Sequence, residues 1–169
     1  MPNDQLKEYL ATDIEVNALK AVPDAVMESL NAHLALYRTD PEAVHIWNPI
    51  VIGVPGGPVK TLMLSYTGRK SGKILQTALQ YFELDGKIAI VASRGGTEEP
   101  PLWYLNLLAE PACEIQVGRN AYRALARTAE GAEREAWWQQ ILVDQPIQAV
   151  YQARTSRQIP VVVMEIVTG

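Results

Sequence analysis

The sequence predicts a mainly β protein with flanking helices, in which roughly six antiparallel strands form a small barrel. Apolar runs follow one another from residue 59 onward, and short turns join several of them as hairpins. Helical patterns lie at both ends of the chain and between the hairpins. The regular strand–helix alternation of a doubly wound sheet is absent, so that alternative architecture is not expected.

The N-terminal part of the chain predicts helices. Pro23–Arg38 should be an amphipathic helix, because apolar residues recur three or four positions apart along one face. Asp4–Lys20 is a second helical candidate, and a loop rich in proline and glycine follows at Asn48–Pro58. The piece before this loop is too short to fold alone. We therefore predict one domain over residues 1–169, with an N-terminal helical segment of about residues 1–42.

Three strands should follow the loop, namely Val59–Tyr66, Ile74–Leu84 and Lys87–Ala92. Asp85-Gly86 is a strong signal for a two-residue hairpin turn between the second and the third. A loop over Arg94–Pro100 then leads to a short helix. The remaining elements, in order, should be a helix Pro101–Leu108, strands Ala112–Val117 and Ala121–Thr128 around Gly118-Arg119-Asn120, helices Glu133–Leu142 and Ile147–Ala153, and a Val-rich strand Pro160–Val167.

The turn Thr67–Lys73 concentrates positive charge. No Asp or Glu occurs from Ala43 to Phe82, whereas four Lys and Arg residues do, so this segment has net charge +4 in a chain of net charge −4. Such segregation favours an anion-binding mouth built from Lys and Arg side chains and backbone N–H groups. A solvated hairpin tip is the alternative interpretation of the same pattern.

Several functional classes are not predicted. Only His33 and His45 occur, and no metal-ligand spacing or phosphate-binding glycine motif is present, which argues against a catalytic triad or a metal site. The overall negative charge argues against nucleic-acid binding. A lone cysteine, Cys113, suits a reducing compartment, and we expect a cytoplasmic protein without a signal peptide. A basic mouth without a strong nucleophile is typical of a cofactor enzyme.

A second group of residues supports a cofactor site. Ser93-Arg94-Gly95-Gly96 ends a predicted strand and adds a hydroxyl, a cation and two glycines. Trp103 and Tyr104 follow at the start of a helix. An aromatic wall near a basic mouth fits a flat ring with an anionic tail, and core packing of Trp103 is the alternative.

Four motifs, in this order, resemble the deazaflavin-dependent nitroreductase family, whose members are split β-barrel proteins that use coenzyme F420. They are Thr67–Gly72, Ala92–Gly96, Trp103–Leu107, and Tyr151-Gln152 with Ile159–Val163. The resemblance covers about residues 59–165. It implies a split β-barrel of the FMN-binding type. It also implies a reductase that passes a hydride from the reduced deazaflavin to a quinone, a nitroaromatic or an activated alkene.

The resemblance assigns positions to the coenzyme. Arg69, Lys70 and Ser71 would hold its phosphate and oligoglutamate tail. Tyr151 would be a proton donor or a substrate-orienting hydroxyl, with a structurally packed tyrosine as the alternative. The residues that would line the groove, approach the tail and ring through main chain, or border the ring are Gln76, Thr77, Ala78, Leu79, Gln80, Val91, Ala92, Ser93, Arg94, Leu102, Trp103, Tyr104, Leu105 and Asn106.

Three features depart from the family pattern. Ile74-Leu75 stands where a Pro-Arg pair is usual, and Glu98-Glu99 stands in a loop that is often basic. Gln145 and Gln148 occupy two of three positions at which quinone- and prodrug-reducing members have tyrosines around the substrate. Two alternatives therefore stay open. One is an FMN-dependent reductase on the same fold, and the other is a non-catalytic protein that binds a cofactor or a lipid.

The expected partner is a small-molecule acceptor rather than a nucleic acid. We also expect a homodimer, since the apolar face of Pro23–Arg38 would be buried if two copies paired. Peripheral membrane association is not favoured, because residues 1–42 carry a net charge of −5, which anionic lipid surfaces repel.

Overall fold

The computed structural model describes residues 24–168. An eight-stranded, mainly antiparallel sheet curls into a half-barrel with helices on its outside. The strands are β1 Ile46–Trp47, β2 Val59–Thr67, β3 Ile74–Gln80, β4 Phe82–Leu84, β5 Lys87–Val91, β6 Ala112–Val117, β7 Asn120–Thr128 and β8 Val161–Ile166. The main path of the sheet runs β1-β2-β6-β7-β8-β5-β4, and β3 pairs with β2 beside it. The prediction of roughly six strands is thus too low, because β1 was missed and one predicted strand is divided in two.

The division falls at Tyr81, inside the predicted strand Ile74–Leu84. β3 pairs with β2 along its whole length, whereas β4 pairs with β5. Tyr81 forms the corner between them, and its N–H donates to the Lys60 carbonyl at 3.0 Å. The side chains of Tyr81 and Phe82 are both buried but belong to different core clusters. An unbroken apolar run in the sequence therefore hides a change of strand partner.

The helices agree with the predictions within a few residues. They are α1 Asp24–Thr39, α2 Pro41–His45, α3 Leu102–Ala109, α4 Gly131–Asp144 and α5 Ile147–Ala153, with 3-10 turns at Pro49–Ile52 and Arg94–Gly96. The bounds of α5 are the predicted ones. The short α2 was not predicted, and the two 3-10 turns lie in segments expected to be loops. The candidate helix Asp4–Lys20 lies outside the described residues.

Two hydrophobic clusters occupy opposite faces of the sheet. The larger fills the half-barrel, and its central side chains are Leu62, Leu64, Ile90, Ile115, Val162 and Met164. The smaller lies under α4, where Trp137 and Ile141 pack against Val161 and Val163. Successive residues of β8 thus enter different clusters, which explains why this strand is a continuous apolar run rather than an alternating one.

The apolar face of α1 packs within its own chain. Tyr37 is fully buried, its hydroxyl donates to the Thr61 carbonyl at 2.9 Å, and it accepts from the Gly118 N–H at 2.9 Å. With Val44 and Met63 it forms a third small cluster on the outer side of β2. In the structure this face is therefore covered by the chain's own sheet, so the face does not by itself indicate a second subunit. None of the helices within residues 24–168 combines the length and the apolar character that a membrane span requires.

Candidate functional site

The basic turn, residues 68–73, joins β2 to β3 and closes on itself. The Gly68 N–H donates to the Lys73 carbonyl and the Gly72 N–H to the Gly68 carbonyl, each at 2.8 Å. Gly68 is buried, and a Cβ there would lie 2.8 Å from Ser71 Oγ. Arg69, Lys70 and Lys73 are exposed, and within residues 24–168 none of them forms an ion pair with a carboxylate. Their charges are therefore available to an anionic ligand.

Asn106 fixes the first cation of this turn. Its side chain is buried on α3, and Oδ1 accepts from the Arg69 N–H at 2.9 Å and from Arg69 Nη1 at 3.0 Å. One amide oxygen thus holds both the backbone and the guanidinium of Arg69. Asn106 was expected to border a ring, and the structure places it under the basic turn.

β3 leads from the basic turn to a cavity. Six residue steps from Ile74 to Gln80 correspond to about 20 Å of strand. The side chains of Gln76, Ala78 and Gln80 share one face, because side chains alternate along a strand. Gln76 is held by hydrogen bonds to Arg38 and Ser65, whereas Ala78 and Gln80 line the cavity together with Leu79.

The cavity has a volume of about 150 Å³ and is bounded by α1, the segment from residue 47 to 61, the end of β3 and residues 145–151. Its polar lining residues are His33, Thr61, Gln80, Gln145, Gln148 and Tyr151, and the rest of its lining is apolar. Among the described residues, no Asp, Glu, Lys or Arg lines it. Such a lining fits a neutral organic group with a few hydrogen-bonding atoms.

His33 and Trp47 form the aromatic side of the cavity. Their rings stack with centroids 4.5 Å apart and an interplanar angle of 18°. His33 is buried, and Nε2 lies 3.0 Å from the Val44 carbonyl oxygen. Burial lowers the pKa of His33, and this effect exceeds the opposing one of the hydrogen bond to Val44. The imidazole is therefore neutral near pH 7 and serves as a flat wall.

Gln148 presents a buried amide without a partner. The residue is 8% exposed, and its Oε1 has no hydrogen-bond partner among the described residues. The neighbouring Gln145 is satisfied, since its Nε2 donates to Gln80 Oε1 at 3.1 Å. A buried acceptor left without a donor destabilises a protein by about 1–3 kcal/mol. This orphaned acceptor beside a cavity is a point at which the N–H or O–H group of a ligand, or a water molecule, would supply the missing hydrogen bond.

Tyr151 lies on α5 at the edge of the cavity and is buried. The guanidinium of Arg154 lies 5.5 Å from the centroid of its ring. The 3-10 turn at Arg94–Gly96 packs directly on this helix, since a Cβ on Gly96 would lie 2.3 Å from the Tyr151 carbonyl oxygen. Only glycine permits this approach, which brings the turn against the backbone that carries Tyr151.

The same turn has unusual backbone angles. Ser93 is right-handed with φ −80°, whereas Arg94 has φ 46° and Gly95 has φ 66°. A non-glycine residue at positive φ is strained by about 1–3 kcal/mol and persists only where its surroundings enforce it. A right-handed residue followed by a left-handed one points successive N–H groups to the same side, which forms a concavity for anions.

Several predicted residues lie elsewhere. Trp103 is buried in the larger core cluster, edge-on to Tyr104, and does not line the cavity. The Tyr104 hydroxyl lies 2.8 Å from Thr128 Oγ1, and Leu102 is exposed. Thr77 and Val91 are paired within the sheet, and the Val91 side chain packs against the smaller core cluster. Ala92 is buried in the larger cluster, and Leu105, on α3, is half-buried. The sequence prediction named the basic turn, the end of β3 and Tyr151 as site residues, and it did not name the stacked pair His33 and Trp47.

Neither a metal centre nor a reactive thiol is evident within residues 24–168. No group of three or more His, Cys, Asp or Glu in this range is arranged to hold a metal ion. Burial raises the pKa of Cys113 to about 11, so the thiol is protonated at neutral pH.

The family model for F420H(2)-dependent quinone reductases matches residues 36–166. The chain belongs to this family. An F420H(2)-dependent quinone reductase of Mycobacterium tuberculosis is 34% identical over 142 residues, which cover 82% of this chain and 90% of that protein. A solved F420H2-dependent reductase is 40% identical, with a TM-score of 0.58, over 62% of this chain and 93% of that one. A structure described as a domain-swapped dimer is 34% identical, with a TM-score of 0.60, over 84% of this chain and 98% of that one.

Family membership confirms the expected split β-barrel and the expected F420-dependent reductase with coenzyme F420 as cofactor. The FMN alternative is not needed. The residues present fit this coenzyme on two grounds. Cations without carboxylate partners suit an anionic tail, and an orphaned amide beside an apolar, aromatic-walled cavity suits a flat ring system with hydrogen-bonding atoms.

Proposed function

We propose that the protein reduces a small organic acceptor of the quinone type at the cavity beside Tyr151, with F420H2 as the hydride source. The observation that carries this proposal is the arrangement along β3, which has a basic turn at one end and a neutral cavity at the other. A ligand with a flat ring and an anionic tail needs both environments at a separation of this order. When bound, the reduced coenzyme supplies the hydride for the reaction.

We propose that the residues of the basic turn bind the anionic tail. Arg69 and Lys70 would donate charge-assisted hydrogen bonds, with Ser71 beside them, and Asn106 would hold Arg69 in place. Ser93 and Arg94 would contribute backbone N–H groups. Ala78, Leu79 and Gln80, with the stacked pair His33 and Trp47, would border the ring. Ala92 and Trp103, with Tyr104 packed against them, would support these residues from the core, whereas Leu102 is exposed.

The cavity chemistry favours a carbonyl-bearing acceptor. A quinone carbonyl accepts hydrogen bonds, and the Tyr151 hydroxyl and the side-chain N–H of Gln148 would be the donors on this side. The orphaned Gln148 Oε1 instead needs a donor, which a quinone does not supply and an N–H group of the coenzyme ring would. The absence of charged side chains from the described lining disfavours ionic acceptors. The names of the family and of its mycobacterial relative also favour a quinone. Nitroaromatics and activated alkenes stay predictions for the same cavity.

We assign Tyr151 the role of proton donor or substrate-orienting hydroxyl. Hydride transfer to a quinone leaves an oxyanion on the acceptor, and a proton must reach that oxygen to complete the hydroquinone. The guanidinium of Arg154, 5.5 Å from the ring centroid, would help to hold the orientation of this ring through a cation–π contact. Gln145 and Gln148 would orient the acceptor without exchanging protons.

We also propose that the protein forms a homodimer. The support is its similarity to a structure described as a domain-swapped dimer, which it matches over 84% of its length. A cytoplasmic location stays a prediction.

The first experiment is a fluorescence titration of the protein with coenzyme F420 and, in parallel, with FMN. We expect micromolar or tighter binding of the deazaflavin alone. Replacing Arg69 and Lys70 by Ala should weaken this binding by about 2–5 kcal/mol, and binding should weaken further as salt is added. Arg119→Ala is the control, because Arg119 is an exposed cation on a different turn. Equal affinity for FMN, or unchanged affinity in the double variant, would contradict the assignment.

The acceptor class is tested by single-turnover reoxidation of the bound, reduced coenzyme. A quinone, a nitroaromatic and an activated alkene of similar size would be compared at equal concentration. We expect the fastest reoxidation with the quinone. A protein that binds the coenzyme tightly and shows no acceptor-dependent rate would be a carrier instead.

A further inference from the structure

Arg157 lies between α5 and β8, and its side chain binds the backbone of the turn at residues 92–97. Its guanidinium donates three hydrogen bonds, from Nε to the Thr97 carbonyl at 3.0 Å, from Nη1 to that of Ala92 at 3.2 Å and from Nη2 to that of Ser93 at 2.8 Å. The residue is itself anchored, because Gln152 Nε2 donates to the Arg157 carbonyl at 2.8 Å. One side chain thus fixes both ends of the turn.

The acceptors of Arg157 are carbonyl groups rather than carboxylates. Within residues 24–168 it forms no ion pair with Asp or Glu. Burial, and secondarily the positive charge of Arg94, lowers its pKa, although a guanidinium stays protonated under all working conditions. A half-buried cation that no carboxylate neutralises adds positive potential at the turn beside it.

The hydrogen bonds also decide which way the turn faces. The Ala92, Ser93 and Thr97 carbonyls point to Arg157, and the Gly95 carbonyl accepts from Arg154 Nη1 at 3.2 Å. With the carbonyls held on one side, the N–H groups of Ser93 and Arg94 are presented on another. The handedness change between these two residues makes successive N–H groups converge. Arg157 therefore stabilises the strained form of the turn, in which these N–H groups face away from its guanidinium.

We propose that Arg157 is a positioning residue that holds the turn at residues 92–97 in the conformation in which its backbone N–H groups bind the phosphodiester of the coenzyme. The inference rests on the proposed coenzyme binding and deepens it by dividing the anionic tail between two places. The phosphodiester lies at this turn, and the carboxylates beyond it lie at the basic turn. Arg157 itself acts through the turn and does not touch the reacting atoms.

The test measures binding of two ligands to purified Arg157→Lys and Arg157→Gln variants by fluorescence. One ligand is coenzyme F420, and the other is the phosphate-free deazaflavin with the same ring and ribityl chain. Lysine keeps the charge but cannot reach three carbonyls, and glutamine removes the charge. Arg134→Lys is the matched control, because Arg134 is a buried arginine that donates to a single carbonyl, that of Ile159, at 2.8 Å. Thermal unfolding of all variants measures their general loss of stability.

We expect both Arg157 variants to raise the dissociation constant of coenzyme F420 by about tenfold or more, as for other supporting residues. The phosphate-free ligand should be bound nearly as well as by the unaltered protein. Arg134→Lys should leave both dissociation constants unchanged, even if its midpoint of thermal unfolding falls as far as those of the Arg157 variants. Equal weakening of both ligands, no weakening of either, or the same loss in Arg134→Lys would overturn the proposal. If the proposed coenzyme binding were itself wrong, the result would be different, because the unaltered protein would then not bind coenzyme F420.

Discussion

Asn106→Leu removes a single buried oxygen on which the position of Arg69 depends. Leucine has a similar size, so the change tests hydrogen bonding with little loss of packing. The bond from the Arg69 N–H contributes about 1 kcal/mol, and the bond from the guanidinium about the same, since Arg69 is exposed and water replaces that contact. The free energy of unfolding should therefore fall by about 2 kcal/mol. For a chain of this size the midpoint of thermal unfolding should fall by about 4–8 °C.

Urea denaturation measures the free energy, and titration with coenzyme F420 measures the effect on the site. Asn106→Leu should weaken coenzyme binding more than its stability loss alone explains, because a released Arg69 must be ordered again on binding. Asn106→Asp is the matched control for stability, since a carboxylate keeps both acceptor functions at nearly the same shape. It also gives Arg69 a carboxylate partner, so it should weaken binding of the anionic coenzyme without a comparable loss of stability. A fall in the free energy of unfolding of Asn106→Asp equal to that of Asn106→Leu, or an unchanged stability of Asn106→Leu, would refute the reasoning.

Three further predictions concern the cavity and its surroundings. Tyr151→Phe should lower turnover with quinone acceptors and leave the dissociation constant of the coenzyme nearly unchanged; full turnover in steady-state assays would rule out a proton donor there. Gly96→Ala should reduce the free energy of unfolding in urea by roughly 2–5 kcal/mol, because the added Cβ meets the Tyr151 carbonyl at φ 81°. Gly86 has φ 77°, and a Cβ there would meet no atom within 4 Å. Gly86→Ala should therefore reduce the free energy of unfolding only by the cost of the left-handed backbone, about 1–2 kcal/mol. Burial holds the pKa of His33 below 6.5 in the folded state, so the unfolded chain binds more protons in acid. Stability should then fall below about pH 6.5, by at most about 1.4 kcal/mol per pH unit down to the folded-state pKa, and denaturation of His33→Gln across this range should show a smaller slope.

Local signals predicted much of the fold. Asp85-Gly86 defined its hairpin, since a two-residue turn depends on its own backbone angles, and Asp85 indeed has φ 52°. The bounds of α5 followed from helical periodicity. The corner at Tyr81 was missed because it depends on which strands lie alongside, and both halves of the run are equally apolar. The two-residue β1 was missed because it is very short and its partners Val59 and Lys60 lie beyond an intervening loop.

The sequence could predict the parts of the candidate site that are formed by residues next to one another in the chain. The segregation of charge indicated the basic turn, and the structure leaves its cations without carboxylate partners among residues 24–168. His33 and Trp47 were not recognised as a wall, since they are fourteen positions apart and meet only through the packing of α1. Position along the apolar stripe of α1 was the one available signal for His33. Trp103 was expected at the ring and lies in the larger core cluster instead. The sequence could not separate the two, because a tryptophan that follows glycines and cations in the chain can equally well fill the core.

The order of strands in the sheet constrains when the protein can fold during its synthesis. β8 is the last strand along the described chain, yet it lies in the middle of the sheet, between β7 and β5. Until the ribosome has made it, the β6–β7 hairpin and the β4–β5 hairpin have no strand between them, and each exposes an unpaired edge. At about 5–20 residues per second, the growing chain carries these edges for several seconds. The sheet is therefore completed only after β8 has been made, and chaperones that shield strand edges can act on the two hairpins until then.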